Sequence, residues 1–280
     1  MDEPFLGSAA VAAGLLTRHT LRTRYRAVHR DVYIGAGTEL TPVLRARAAC
    51  LRSRGHGILA GFSAAALHGA RWIDARRPAT VIDENRRPDP GITVWANRID
   101  PDEICVVDGM RVTTPERTAL DLARRYPTDT AVIAIDALAR ATGLALADVA
   151  RLAERYRGRR GLPRVRTVLE LVDAGAESPR ETWLRLLVVR AGFPRPRTQL
   201  PVYDEFGCLI GIVDLGWEEL RIAMEYEGAH HRLDARVFAR DIRRMEALQE
   251  RGWVVLRVTA EDTPGGIIRR LEQAWTRRCA

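Results

Sequence analysis

The chain has 280 residues, 46% of them hydrophobic, which is enough for more than one core and excludes disordered and fibrous classes. Its 44 basic residues exceed its 36 acidic ones, giving a formal net charge of +8 that favours a polyanionic partner. Every basic residue is arginine; a guanidinium keeps its proton, so lysine-type general bases, Schiff bases and P-loops are excluded. No apolar run approaches the ~20 residues of a spanning helix, and the acidic start "MDEPFLG" does not read as a signal peptide. Cys50, Cys105, Cys208 and Cys279 lack paired spacing, so reduced thiols in a cytoplasm, without zinc, are expected.

The first 36 residues predict a short Ala-rich helix, a break at Gly14, and a second helix capped by Thr17. An extended piece, "AVHRDVYI", follows with Val28, Val32 and Ile34 in imperfect alternation. Helix, turn, arginine-bearing helix and β-wing is the order of a winged helix-turn-helix. Arg18, Arg22, Arg24, Arg26 and Arg30 supply the charges to grip phosphates along a groove. The same pattern also suits an arginine-studded helix packed on the rest of the protein. This region resembles the winged-helix domain of AbiEi-type antitoxins, and "GFSAAALHGA" and "VTTPERTALDLAR" extend the resemblance to about residue 125.

Residues 37–157 read as a mixed α+β middle region. Ser63 is expected to cap a helix through "AAALHGA", while "ATVID" and "ITVWAN" are strands around the polar turn "ENRRPDPG". Thr114 and Pro115 open a helix over "ERTALDLARRY". Two more helices follow in "TAVIAIDALARA" and "LADVARLAERY", and His68 is expected as a satisfied core histidine. Residues 158–176, entered through the stretch "RGRRGLPRVR" that starts at Arg157, are expected as a linker or connecting helix.

Residues 177–280 carry the most chemically suggestive pattern. "LIGIVDL" and "RIAMEYEG" read as a hairpin turning at Trp217 to Leu220, which brings Asp214 opposite Glu225. Residues two apart in a strand share a face, so Glu225 and Glu227 point together, away from Met224 and Tyr226. Crowded carboxylates need a compensating cation or proton, and hard divalent ions take such ligands. His230 and His231 follow directly. Arg257, on the strand "WVVLRV", is placed to neutralise the carboxylates or hold a phosphate.

The stretch from Ser178 onward, through "SPRETWLRLLVVRAGF", "IVDLGW", "IAMEYEGAHHR" and "FARDIRRMEALQERGWVVLRVT", resembles the very-short-patch-repair-like endonucleases of the PD-(D/E)XK superfamily. The resemblance implies Asp214 and Glu225 as ligands of Mg²⁺ or Mn²⁺ and Glu227 as the second acidic residue. It also implies Glu181 as a further acidic group and His231, or His230 beside it, as a catalytic or phosphate-contacting histidine. The superfamily's lysine is replaced here by Glu227.

The expected fold is α/β: a restriction-endonuclease-like mixed sheet flanked by helices, behind a winged helix-turn-helix and an α+β middle region. The leading functional reading is a metal-dependent DNA endonuclease. The alternative is a DNA-binding regulator or AbiEi-like antitoxin whose nuclease-like domain is not catalytic. DNA is the expected partner and a membrane is not; a homodimer, and a toxin under the alternative, complete the expected partners.

Overall fold

The computed structural model describes residues 2–85, 89–96, 98–227 and 235–279, with side chains described from 240 onward in the last segment. Backbone contacts divide the chain into two compact units, Met1–Ala174 and Gly175–Ala280. Among the described residues no single helix is long and apolar enough to cross a membrane.

The first unit opens with β1 (Phe5–Leu6), α1 (Gly7–Ala12), α2 (Arg18–Arg24), β2 (Tyr25–His29) and β3 (Val32–Gly35). Gly14 takes φ +69° after α1, a left-handed conformation open to glycine. Thr17 caps α2, its Oγ1 accepting the Thr20 N–H at 3.1 Å. The single extended piece expected over "AVHRDVYI" is instead two antiparallel strands, and β1 joins them in the order β1-β3-β2. The turn forms because Asp31 tolerates φ 65° and its carboxylate accepts both the Ser8 N–H, at 2.8 Å, and the Ser8 hydroxyl. A register shift between Ala27 and His29 explains the imperfect alternation; Val32 and Ile34 are fully buried.

Next come α3 (Pro42–Arg52), β4 (Ile58–Leu59), α4 (Gly61–Leu67), β5 (Ala79–Ile82), β6 (Ile92–Trp95), β7 (Ile104–Val107) and β8 (Met110–Thr113). Their strands form one sheet in the order β6-β5-β4-β8-β7. β5 and β6 run parallel, Ala79 beside Ile92, so their polar connection is not a hairpin turn. Alanines 46, 49, 64 and 79 pack with Leu59, Val81 and Val112, small side chains letting the helices lie close on the sheet. Ser63 is not a cap: it lies inside α4, buried, and its Oγ accepts the Thr80 N–H at 2.9 Å. His68 is half-buried with Nε2 2.7 Å from the Thr113 carbonyl, the satisfied histidine expected.

Four helices complete the unit: α5 (Pro115–Arg125), α6 (Thr128–Thr142), α7 (Leu146–Glu154) and α8 (Leu162–Leu171). Thr114 caps α5 as its sequence predicts, accepting the Arg117 N–H at 3.3 Å. α8 occupies the arginine-rich 158–176 segment and buries Val165 and Val168. Just before it, Gly161 (φ +83°) lies so close to α5 that a Cβ would stand 2.4 Å from the Arg124 carbonyl oxygen.

The second unit runs α9 (Pro179–Arg190), β9 (Arg197–Tyr203), β10 (Leu209–Trp217), β11 (Ile222–Tyr226), α10 (Ala235–Glu250), β12 (Val254–Val258) and α11 (Pro264–Cys279). The sheet order is β12-β11-β10-β9, with β11 and β12 parallel and the other pairs antiparallel. Leu184 and Val188 of α9 and Ile267 and Leu271 of α11 pack with Leu215, Ile222 and Met224. Leu248 of α10 packs instead with Val213 and Ala223. The mixed, helix-flanked sheet places the whole chain in the α/β class.

Candidate nucleic-acid interface and carboxylate cluster

Leu21 is the buried residue of α2, and it turns the remaining surface of that helix outward. Arg18, Arg22 and Arg24 on α2, Arg26 on β2 and Arg30 in the β2–β3 turn are all exposed. Arg26 donates Nη2 to the Thr38 carbonyl at 2.9 Å, which fixes one guanidinium beside the wing. Its charge is felt by Arg45, whose guanidinium is held below the usual arginine value by burial and then by Arg26. The wing is tied to the rest of its unit at His29: Nδ1 lies 3.2 Å from Asp89, and Arg52 donates to the same carboxylate at 2.5 Å. Exposed guanidiniums on a helix and its adjoining wing suit phosphate contacts, which position a protein on a duplex without reading its sequence.

In the second unit the hairpin forms as expected, with Leu215 opposite Met224 and a turn through Glu218–Leu220. Asp214 Oδ2 accepts the Tyr226 N–H at 2.8 Å, so Asp214 does lie across from the end of β11. Burial pushes its carboxyl up to about 7, and the nearby charges of Glu181 and Glu225 add to that, against the pull of Tyr226 N–H and Arg244. Glu181 is buried in the first turn of α9; its Oε2 accepts the Glu177 N–H at 2.8 Å and the Gln199 Nε2 at 3.1 Å.

Glu225 is 7% exposed, and Arg244 of α10 grips it with both arms, Nη1 to Oε1 at 2.5 Å and Nη2 to Oε2 at 2.8 Å. Arg244 also donates to Asp241 at 2.8 Å. Arg257 pairs with Asp241 at 2.6 Å and with Glu227. The neutralising role expected of Arg257 is therefore shared with Arg244. The signal for it lies in β11 parity: Ala223 and Glu225 share the side that α10 covers.

The donor set does not fit a resident Mg²⁺ or Mn²⁺ as it stands. Both oxygens of Glu225 are engaged by a guanidinium, and Glu227 carries its own arginine. Among the described residues, three donor groups gather within 4.8 Å at Asp100, Asp102 and Glu103, not at Asp214, Glu225 and Glu227. His230 and His231 lie outside the described residues.

Two uncharacterised proteins of Mycobacterium tuberculosis, from strains CDC 1551 and H37Rv, are each 29% identical to this chain over 247 residues. The alignments cover 86% of this chain and 90% of each relative, a length that neither unit supplies alone. No solved structure matches the chain. The family model for the AbiEi antitoxin C-terminal domain matches residues 4–171, nearly the whole of the first unit and more than half of the sequence. The chain belongs to that AbiEi antitoxin family.

Proposed function

We propose that this protein is a DNA-binding regulator of the antitoxin type, acting through the winged-helix arginines, with a toxin as its protein partner. The observation that carries the reading is a family match that contains a compact α1–α2–wing module with five exposed arginines. DNA binding at such a surface is driven by release of counterions from phosphates, and it needs guanidiniums held on a rigid frame. Thr17, Asp31 and the His29–Asp89 contact supply that frame. The second unit serves this reading as a non-catalytic module, a role supported by the pairing of Glu225 with Arg244 and of Glu227 with Arg257. A homodimer would let two winged helices address a palindromic site.

A reporter driven by the DNA upstream of the protein's own gene tests the proposal. The full chain should lower transcription, and the Arg22→Ala/Arg24→Ala/Arg26→Ala variant should restore it. Equal repression by the two proteins would remove the winged helix from the function.

A further inference from the structure

A separate cluster of charge lies where α5 meets the turn after α7. Arg117 and Arg124 are seven residues apart on α5, two turns, and so share a face. With Arg98, Arg155, Tyr156 and Arg159 they line a cavity of about 310 Å³, at the lower end of the usual range for small-molecule sites. The Tyr156 ring lies close to both α5 guanidiniums, with Cζ of Arg117 5.1 Å and Cζ of Arg124 5.7 Å from its centroid.

The local charges do not balance. Glu103 and Asp121 hold Arg117, and Asp102 holds Arg155 at 2.6 Å. Asp121 must also serve Arg124 and Arg125, each 3.7 Å away. Counting Asp100 on the wall, among the described residues four carboxylates face the five guanidiniums that line the cavity: Arg98, Arg117, Arg124, Arg155 and Arg159. Burial, then the charges of Arg125 and Arg117, hold the Arg124 guanidinium below the usual value against Asp121, whereas their carboxylate partners hold Arg117 and Arg155 above it. Arg117 is wholly buried, and its Nη2 is a buried donor without a hydrogen-bond partner among the described residues. An unpaired buried donor costs about 1–3 kcal/mol, and like charges crowded at a concave surface favour an added anion.

We propose that this cavity binds the phosphate or pyrophosphate group of a small molecule. Planar guanidinium forks match phosphate oxygens in pairs, and an anion would offset the excess positive charge. The cavity holds a ligand of nucleotide size or smaller, not a duplex. The site is distinct from the winged-helix arginines, and its ligand is not the DNA of the proposed regulator.

Calorimetric titration of the full chain with inorganic pyrophosphate tests the proposal. Binding is expected with Kd below about 1 mM. Arg98→Ala and Arg159→Ala, at exposed side chains, are each expected to weaken it about tenfold, the worth of one charge-assisted hydrogen bond. The Arg22→Ala/Arg24→Ala/Arg26→Ala variant should bind pyrophosphate as the wild type does, whether or not DNA repression survives. Pyrophosphate that binds neither protein, binds Arg98→Ala and Arg159→Ala undiminished, or is lost with the winged-helix variant instead would overturn the assignment.

Discussion

Arg244 donates to both oxygens of Glu225, and at the residue scale this pairing compensates a buried carboxylate. Removing one partner of a buried pair strands the other charge, at about 3 kcal/mol or more, whereas replacing both with apolar groups is close to neutral. Arg244→Met should therefore lower stability in urea by about 3 kcal/mol, and Arg244→Met/Glu225→Leu should recover most of it. A harmless Arg244→Met would show that the ion pair is not what compensates Glu225. Asp214 carries a second residue-scale prediction. Its folded pKa, about 7, lies above its usual 3.8, so stability from this group is fully present below pH 3.8 and is lost as pH rises through about 7. The whole shift corresponds to about 4 kcal/mol as an upper bound. Asp214→Asn keeps an acceptor for the Tyr226 N–H but cannot ionise. Its stability advantage over the wild type should grow from pH 4 to 7, measured in EDTA, and then level off. A constant difference across that range would place the Asp214 carboxyl near its ordinary value.

At the scale of elements, local chemistry made much of the chain readable. Thr17, Thr114 and Pro115 announce helix starts because their oxygens or fixed φ serve the first turn whatever surrounds them. Ser63 carries the same signal, yet its hydroxyl serves a strand of the neighbouring sheet, and no local pattern encodes that contact. The wing was legible only as extended chain, since its turn depends on Asp31 reaching Ser8, 23 residues away. The carboxylates of the candidate cluster were legible from strand parity, but Arg244 was not, because its reach depends on where α10 packs. Asp31→Ala tests the wing: it removes both hydrogen bonds to Ser8 and a residue tolerant of positive φ, so a cost of about 1–2 kcal/mol is expected. Asp31→Gly should cost less, because it keeps the backbone freedom. Thermal unfolding that ranks the two the other way would show that the added chain entropy of glycine outweighs the strain of positive φ at this position.

At the scale of the whole molecule, a basic chain divides into a unit that carries the antitoxin-family match and a unit in which arginines pair with Glu225 and Glu227. Net charge pointed to a polyanion, but composition says nothing about which surface meets it. That assignment rests on α2 and the wing, where five exposed arginines share a rigid frame. The salt dependence of DNA affinity, followed by fluorescence anisotropy with a labelled duplex, tests it most directly. Each phosphate that the protein no longer neutralises takes about 0.9 off the slope of log K against log salt. The Arg22→Ala/Arg24→Ala/Arg26→Ala protein should bind more weakly than the wild type, with a slope shallower by about 2–3. Parallel slopes for the two proteins would contradict the account and send these arginines to a packing role.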